Sequence, residues 1–122
     1  MPTVLYVDDD RDFADLVELR LTRDLDCAVE TVLSADAALD RLDDGNVACA
    51  VLDYRLPRMG GPELLAAVHE RRPDLPVVFF SGLDDPETAA DATAAGAAAF
   101  VTKSNANFET LAEEIRAAIG DA

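Results

Sequence analysis

The run Val47-Ala48-Cys49-Ala50-Val51-Leu52 is apolar at every position and stops at a carboxylate, Asp53. A strand with one wet face alternates apolar and polar residues. An unbroken apolar run instead suits a parallel strand covered on both faces. Parallel neighbours are joined by long crossovers, usually helices, so helical periodicity is expected on either side of the run.

Both flanks supply it. Downstream, Gly61 and Pro62 open a helix that carries Leu64, Leu65 and Val68 inward, with proline where its missing donor costs nothing. Residues 77–80 read as a further strand, Asp85-Pro86 as the cap and first turn of the next helix, and residues 97–101 as a last strand. Phe108, Leu111, Ala112, Ile115 and Ile119 then mark one face of a closing helix. Upstream, Ser34 can cap a helix bearing Ala38, Leu39 and Leu42 that Gly45 ends. Before it, residues 28–33 and residues 4–7 read as strands. Phe13, Leu16, Val17 and Leu21 mark the helix between them, with Asp10 or Asp9 as its cap. The pattern predicts an α/β domain, (βα)5, with an open parallel sheet and helices on both faces, in one domain over residues 1–122. The fourth helix offers its core mainly alanine over residues 88–95, so its docking is expected to be the weakest, as suits an element that moves.

Composition agrees. With 122 residues, 50% of them hydrophobic, there is material for one core and no room for a second. No apolar run approaches the roughly 18 residues of a membrane span. The apolar run behind Met1-Pro2-Thr3 ends quickly at three aspartates, too short for a signal peptide, so the cytoplasm is the expected location. Twenty-five acidic residues against ten basic ones give a net charge of -15, which opposes binding to nucleic acid or to an anionic membrane. Seventeen of the acids are Asp, and Lys103 is the sole lysine beside nine arginines. This balance suits a high-salt cytoplasm, as of a halophile, where carboxylates keep a surface hydrated; GC-rich coding is the bland alternative. Cys27 and Cys49 have no metal-like spacing. With another strand between theirs they would lie about 9 to 10 Å apart, too far for a disulfide, and both read as small buried apolar residues.

The polar residues fall in a pattern. Ligands of open α/β sheets bind outside the carboxyl ends of the strands. Those ends carry Asp8 and Asp9, then Asp53, Ser81 and Lys103, so four of the five strands deliver a reactive side chain to one rim. Three carboxylates together repel and take up protons unless a cation joins them, and oxygen ligands without His or Cys select magnesium. A lysine and a hydroxyl are what the oxygens of a transferring phosphoryl group need, and one carboxylate can act as nucleophile to give an acyl phosphate.

The chain resembles the receiver domains of two-component response regulators, from Thr3 to about Ile119. The marks are Val4-Leu5-Tyr6-Val7-Asp8-Asp9-Asp10, Asp53-Tyr54-Arg55-Leu56-Pro57-Arg58-Met59-Gly60-Gly61, Phe80-Ser81-Gly82 and Phe100-Val101-Thr102-Lys103. The resemblance implies a flavodoxin-like, doubly wound sheet of strand order 2-1-3-4-5. It implies that Asp53 takes a phosphoryl group from the phosphohistidine of a histidine kinase or phosphotransfer protein, catalysing only its own phosphorylation and dephosphorylation. It also implies Mg2+ bound by Asp9, Asp53 and the backbone carbonyl of Arg55, with Asp8 acting through water. Ser81 and Lys103 would bind phosphoryl oxygens, and Phe100 would turn as Ser81 moves, shifting the surface of the fourth helix, fifth strand and fifth helix.

The sequence departs from the family in places. Receiver domains usually have a cis-linked proline after the lysine, where Ser104 stands here, and a cis bond to a non-proline residue costs about 2.5 to 4 kcal/mol. Arg55 and Leu83, which would flank the acyl phosphate, are expected to slow its hydrolysis. A receiver-like module that binds partners without phosphorylation is the alternative function. A phosphatase of the haloacid-dehalogenase type is a third, suggested by Asp8-x-Asp10 but opposed by Asp12 and by the short chain. His69 reads as solvent-facing. The faces of helices four and five carry a single basic residue, Arg116, which favours a monomer. The chain ends soon after helix five, so no output domain is expected within it, and the downstream target is not readable.

Overall fold

In a computed structural model, residues 2–82, 85–103 and 107–120 are described. Leu83 and the Lys103–Ser104 peptide lie outside them. The elements run β1 (Thr3–Val7), α1 (Arg11–Asp24), β2 (Ala28–Val32), α2 (Ala35–Asp43), β3 (Val47–Leu52), α3 (Gly61–Arg71), β4 (Val77–Ser81), α4 (Pro86–Ala94), β5 (Ala99–Thr102) and α5 (Phe108–Ile119). Five parallel strands stand in the order β2-β1-β3-β4-β5. This is the doubly wound flavodoxin-like arrangement.

Strand alternation divides the core in two. Leu5, Val7, Ala50, Leu52, Val77 and Phe79 face α2 and α3. Val4, Tyr6, Cys49, Val51, Val78 and Phe80 face α1 and α5. β3 is therefore buried on both sides, which is why its sequence is unbroken apolar. Cys27, just before β2, and Cys49, in β3, are free and buried.

The caps form as expected. Asp10, Ser34 and Asp85 accept hydrogen bonds from the amides of Phe13, Ala37 and Glu87, each satisfying an orphan donor of the first turn. α4 buries one side chain, Ala92, whereas α3 buries Gly61, Leu64, Leu65 and Val68. A methyl group removes far less apolar surface from water than a leucine, so α4 is the least anchored helix.

Three details depart from expectation. Leu16 is 42% exposed, and Ala14 takes the inward place on α1 beside Val17 and Leu21. The last strand is Ala99–Thr102 rather than residues 97–101, because Ala97 bonds back to the carbonyl of Ala92 and closes the α4 turn. His69 is only partly exposed: its Nε2 lies 3.1 Å from the Leu75 carbonyl, and its ring lies near Gly96.

Candidate functional site

The sheet ladder continues one residue beyond three strand ends, and this assembles the site. Asp8 N–H donates to the Val32 carbonyl at 3.2 Å, Asp53 N–H to Val7 at 2.9 Å, and Lys103 N–H to Ser81 at 2.6 Å. Residues that follow β1, β3 and β5 are thereby fixed as firmly as strand residues, though none is in a strand.

Asp8, Asp9 and Asp53 each bring a carboxylate oxygen to within 4.8 Å of the other two. Asp8 is 1% exposed and Asp53 9%, while Asp9 is open to solvent. Lys103 Nζ stands 2.9 Å from Asp8 Oδ2 and 3.6 Å from Asp53 Oδ2. It also lies 4.7 Å from the centroid of the Phe13 ring, so α1 roofs the lysine with an aromatic face. Ser81, at the end of β4, is 2% exposed. Phe100 is half-buried, packed edge-on against Tyr54 with ring centroids 5.6 Å apart and 6.2 Å from Phe79.

The loop after β3 is held by glycine. Gly61 N–H donates to the Tyr54 carbonyl at 2.8 Å, and Arg55 pairs with Gly60 in an antiparallel bridge. A Cβ at Gly61 would lie 2.8 Å from that carbonyl oxygen and 3.0 Å from the Phe79 ring, so only glycine closes the loop here. Arg55 N–H points at Asp53 Oδ1 at 3.4 Å, and the Arg55 side chain is exposed.

The electrostatics separate the two buried carboxylates. Burial pushes the Asp53 carboxyl up to about 6; Lys103 opposes the rise and Asp8 adds to it. Burial also works to raise Asp8, but bonds from the Asp10 amide, Lys103 and Tyr6 outweigh it and hold Asp8 below the ordinary carboxylate range. A hard divalent cation fits this donor set: all ligands are oxygens, two are poorly hydrated, and one lysine offsets three carboxylates.

Residues 4–116 match the response regulator receiver domain family. The chain belongs to that family. It is 36% identical over 118 residues to the response regulator protein TodT of Pseudomonas putida, covering 96% of this chain and 51% of the relative. Among solved structures, the receiver domain of NtrX from Brucella abortus is 33% identical with a TM-score of 0.83, covering 98% of this chain and 99% of that one. The beryllofluoride-activated receiver domain of DrrB, a Thermotoga maritima protein, is 29% identical with a TM-score of 0.85, and 98% of each chain is covered. This receiver domain spans about half the length of TodT. It is a signalling domain of two-component response regulators, and none of its described helices is long and apolar enough to cross a membrane.

The rim thus holds every residue that the strand ends singled out. Two neighbours escaped that reading. Tyr6 lies inside an apolar run and looks like core, yet its hydroxyl reaches Asp8 at 2.7 Å. Its spacing of two from Asp8 on an alternating strand was the available signal. Phe13 reads as helix face, and nothing local ties it to a lysine 90 residues away.

Proposed function

We propose that this receiver domain is a phosphorylation switch in which Asp53 is the acceptor. The carboxylate Oδ of Asp53 attacks the phosphorus of a phosphohistidine on a histidine kinase or phosphotransfer protein. The P–N bond breaks, a P–O bond forms, and the imidazole leaves. The observation that carries this reading is the convergence of Asp8, Asp9 and Asp53 within 4.8 Å beside Lys103 on one rim. Mg2+ would be held by Asp9, Asp53 and the Arg55 backbone carbonyl, with Asp8 acting through water; when bound it offsets the charge on carboxylates and phosphoryl oxygens.

Within the chain, Lys103 and Ser81 hold phosphoryl oxygens, and burial raises the carboxyl of Asp53 to about 6. Drawing Ser81 inward lets Phe100 turn within its cluster with Tyr54 and Phe79, and the surface of α4, β5 and α5 changes. The slight anchoring of α4 through Ala92 supports that direction of movement. The domain does no other chemistry. Arg55, exposed two residues beyond Asp53, together with Leu83, slows attack by water on the acyl phosphate.

We further propose that residues 1–122 act as one domain in the cytoplasm, monomeric, with output set by whichever target recognises the altered surface. The net charge of -15 opposes direct nucleic-acid contact by this domain. The test is beryllofluoride with Mg2+, followed by amide NMR. Saturable shifts around Asp53 that spread to α4 and β5, and that vanish in Asp53→Asn, are expected. Absence of binding at Asp53 would favour a receiver-like module that works without phosphorylation.

A further inference from the structure

Among the wholly buried side chains of the described residues, Tyr6 is exceptional in carrying a hydroxyl, and it spends that hydroxyl on the site. The ring lies in the core between the sheet and helices α1 and α5, and none of it is exposed. β1 alternates, so Tyr6 and Asp8 project to the same side, and the phenol meets Asp8 Oδ2 at 2.7 Å. In this arrangement the phenol donates and the carboxylate accepts.

The acceptor sites of Asp8 can then be counted. An ionised carboxylate offers about four lone-pair positions, two on each oxygen. Oδ2 receives Tyr6 Oη at 2.7 Å and Lys103 Nζ at 2.9 Å, so both of its positions are filled. Oδ1 receives the Asp10 amide at 3.0 Å and is left clear of both Tyr6 and Lys103. The phenol cannot turn elsewhere without leaving a hydroxyl unbonded in the core, which costs more than a surface hydrogen bond returns.

We infer that Tyr6 is a positioning residue: by occupying Asp8 Oδ2 together with Lys103, it turns Oδ1 toward the water through which Asp8 would hold a divalent cation. The inference rests on the proposed metal-binding role of Asp8, Asp9 and Asp53. Tyr6 never touches the cation. It acts by fixing the orientation of a carboxylate that would reach the cation through water.

The experiment is calorimetric titration of the folded chain with MgCl2, without any phosphodonor, in four forms: the natural sequence, Tyr6→Phe, Asp8→Asn and the double variant. Phenylalanine keeps the ring and removes the donor. Loss of a partner that orients a metal-binding carboxylate typically weakens affinity about tenfold or more. Tyr6→Phe should therefore weaken Mg2+ binding about tenfold in the natural background and not at all in the Asp8→Asn background. A sharp, slowly exchanging Tyr6 hydroxyl proton in the NMR spectrum of the natural sequence, shifted by Mg2+, gives a second reading that needs no variant. Equal losses in both backgrounds, or unchanged affinity in Tyr6→Phe, would overturn the inference. If the natural sequence binds no Mg2+ while Asp9→Asn behaves identically, the metal reading itself fails, and the role of Tyr6 with it.

Discussion

Lys103 and Asp8 are 95 residues apart in the chain and share a charge-assisted hydrogen bond of 2.9 Å. The lysine side chain is 20% exposed and the aspartate 1%, so the pair is largely withdrawn from water. Lys103 also faces Asp53 at 3.6 Å, so one cation pairs with both buried carboxylates.

Removing that cation should therefore cost more than a surface pair would. Lys103→Ala leaves Asp8 with an uncompensated buried charge, and a loss of about 1–3 kcal/mol is expected. The Asp53 carboxyl should move further above 6, since Lys103 is what opposes its rise. Urea denaturation with and without millimolar MgCl2 checks both points. The deficit should shrink when Mg2+ is present, and a deficit indifferent to Mg2+ would argue against a shared site.

The raised Asp53 carboxyl has a direct consequence for pH dependence. Its folded value, about 6, lies above that of an ordinary unfolded carboxyl near 4, so the folded state binds this proton more tightly. Its contribution to stability is fully present below about pH 4 and is lost as pH rises through 6, amounting to at most about 3 kcal/mol. Asp8, held low, acts in the opposite sense and in a lower window: its contribution is present above the ordinary carboxylate value and lost on further acidification. The metal-free chain should thus gain stability from Asp53 between pH 7 and pH 5, and Asp53→Asn should remove that gain. Chemical denaturation at four or five pH values, compared between the two proteins, measures it.

Gly61 bears on the fold and the site together. With Tyr54 O at 2.8 Å and the Phe79 ring at 3.0 Å from an added Cβ, Gly61→Ala must shift the loop that follows Asp53. Overpacking of this kind costs about 1–3 kcal/mol. The expected result is a lower melting temperature with amide shifts centred on Tyr54 and Arg55. An unchanged spectrum would show that the loop yields without strain.

The acidic surface makes a prediction about salt. Self-repulsion at a net charge of -15 is screened as ionic strength rises, and the Debye length falls from about 10 Å at 0.1 M to about 3 Å at 1 M. The melting temperature should climb steadily with KCl up to molar concentrations if the composition is an adaptation to high salt. A flat profile would leave GC-rich coding as the simpler account of the many Asp and Arg residues.

Much of this was legible in local sequence because local physics decides it. The unbroken apolar run before Asp53 implies a doubly covered parallel strand. The caps Asp10, Ser34 and Asp85 announce helix starts through bonds that span two or three residues. Leu16 misled because a 3.6-residue period leaves boundary positions ambiguous, and the position of α1 against the sheet settled which side of the helix was covered. His69 misled for a similar reason, since its partner, the Leu75 carbonyl, lies in a loop whose path is not written in the helix.

What the sequence determined alone is the inventory and its order: five strands, five helices, and carboxylates, hydroxyl and lysine each placed at or just past a strand end. Those follow from hydrophobic period, capping chemistry and chain length, all of which act over a few residues. Tertiary structure decided how the inventory is wired. Parallel pairing of β1 with β3 set Asp8 beside Asp53, α1 laid the Phe13 ring against Lys103, and the shared side of β1 gave Asp8 the hydroxyl of Tyr6. Those contacts, except the last, join residues dozens of positions apart, and they exist because burial on both faces of one sheet leaves its carboxyl edge as the place where these polar groups meet.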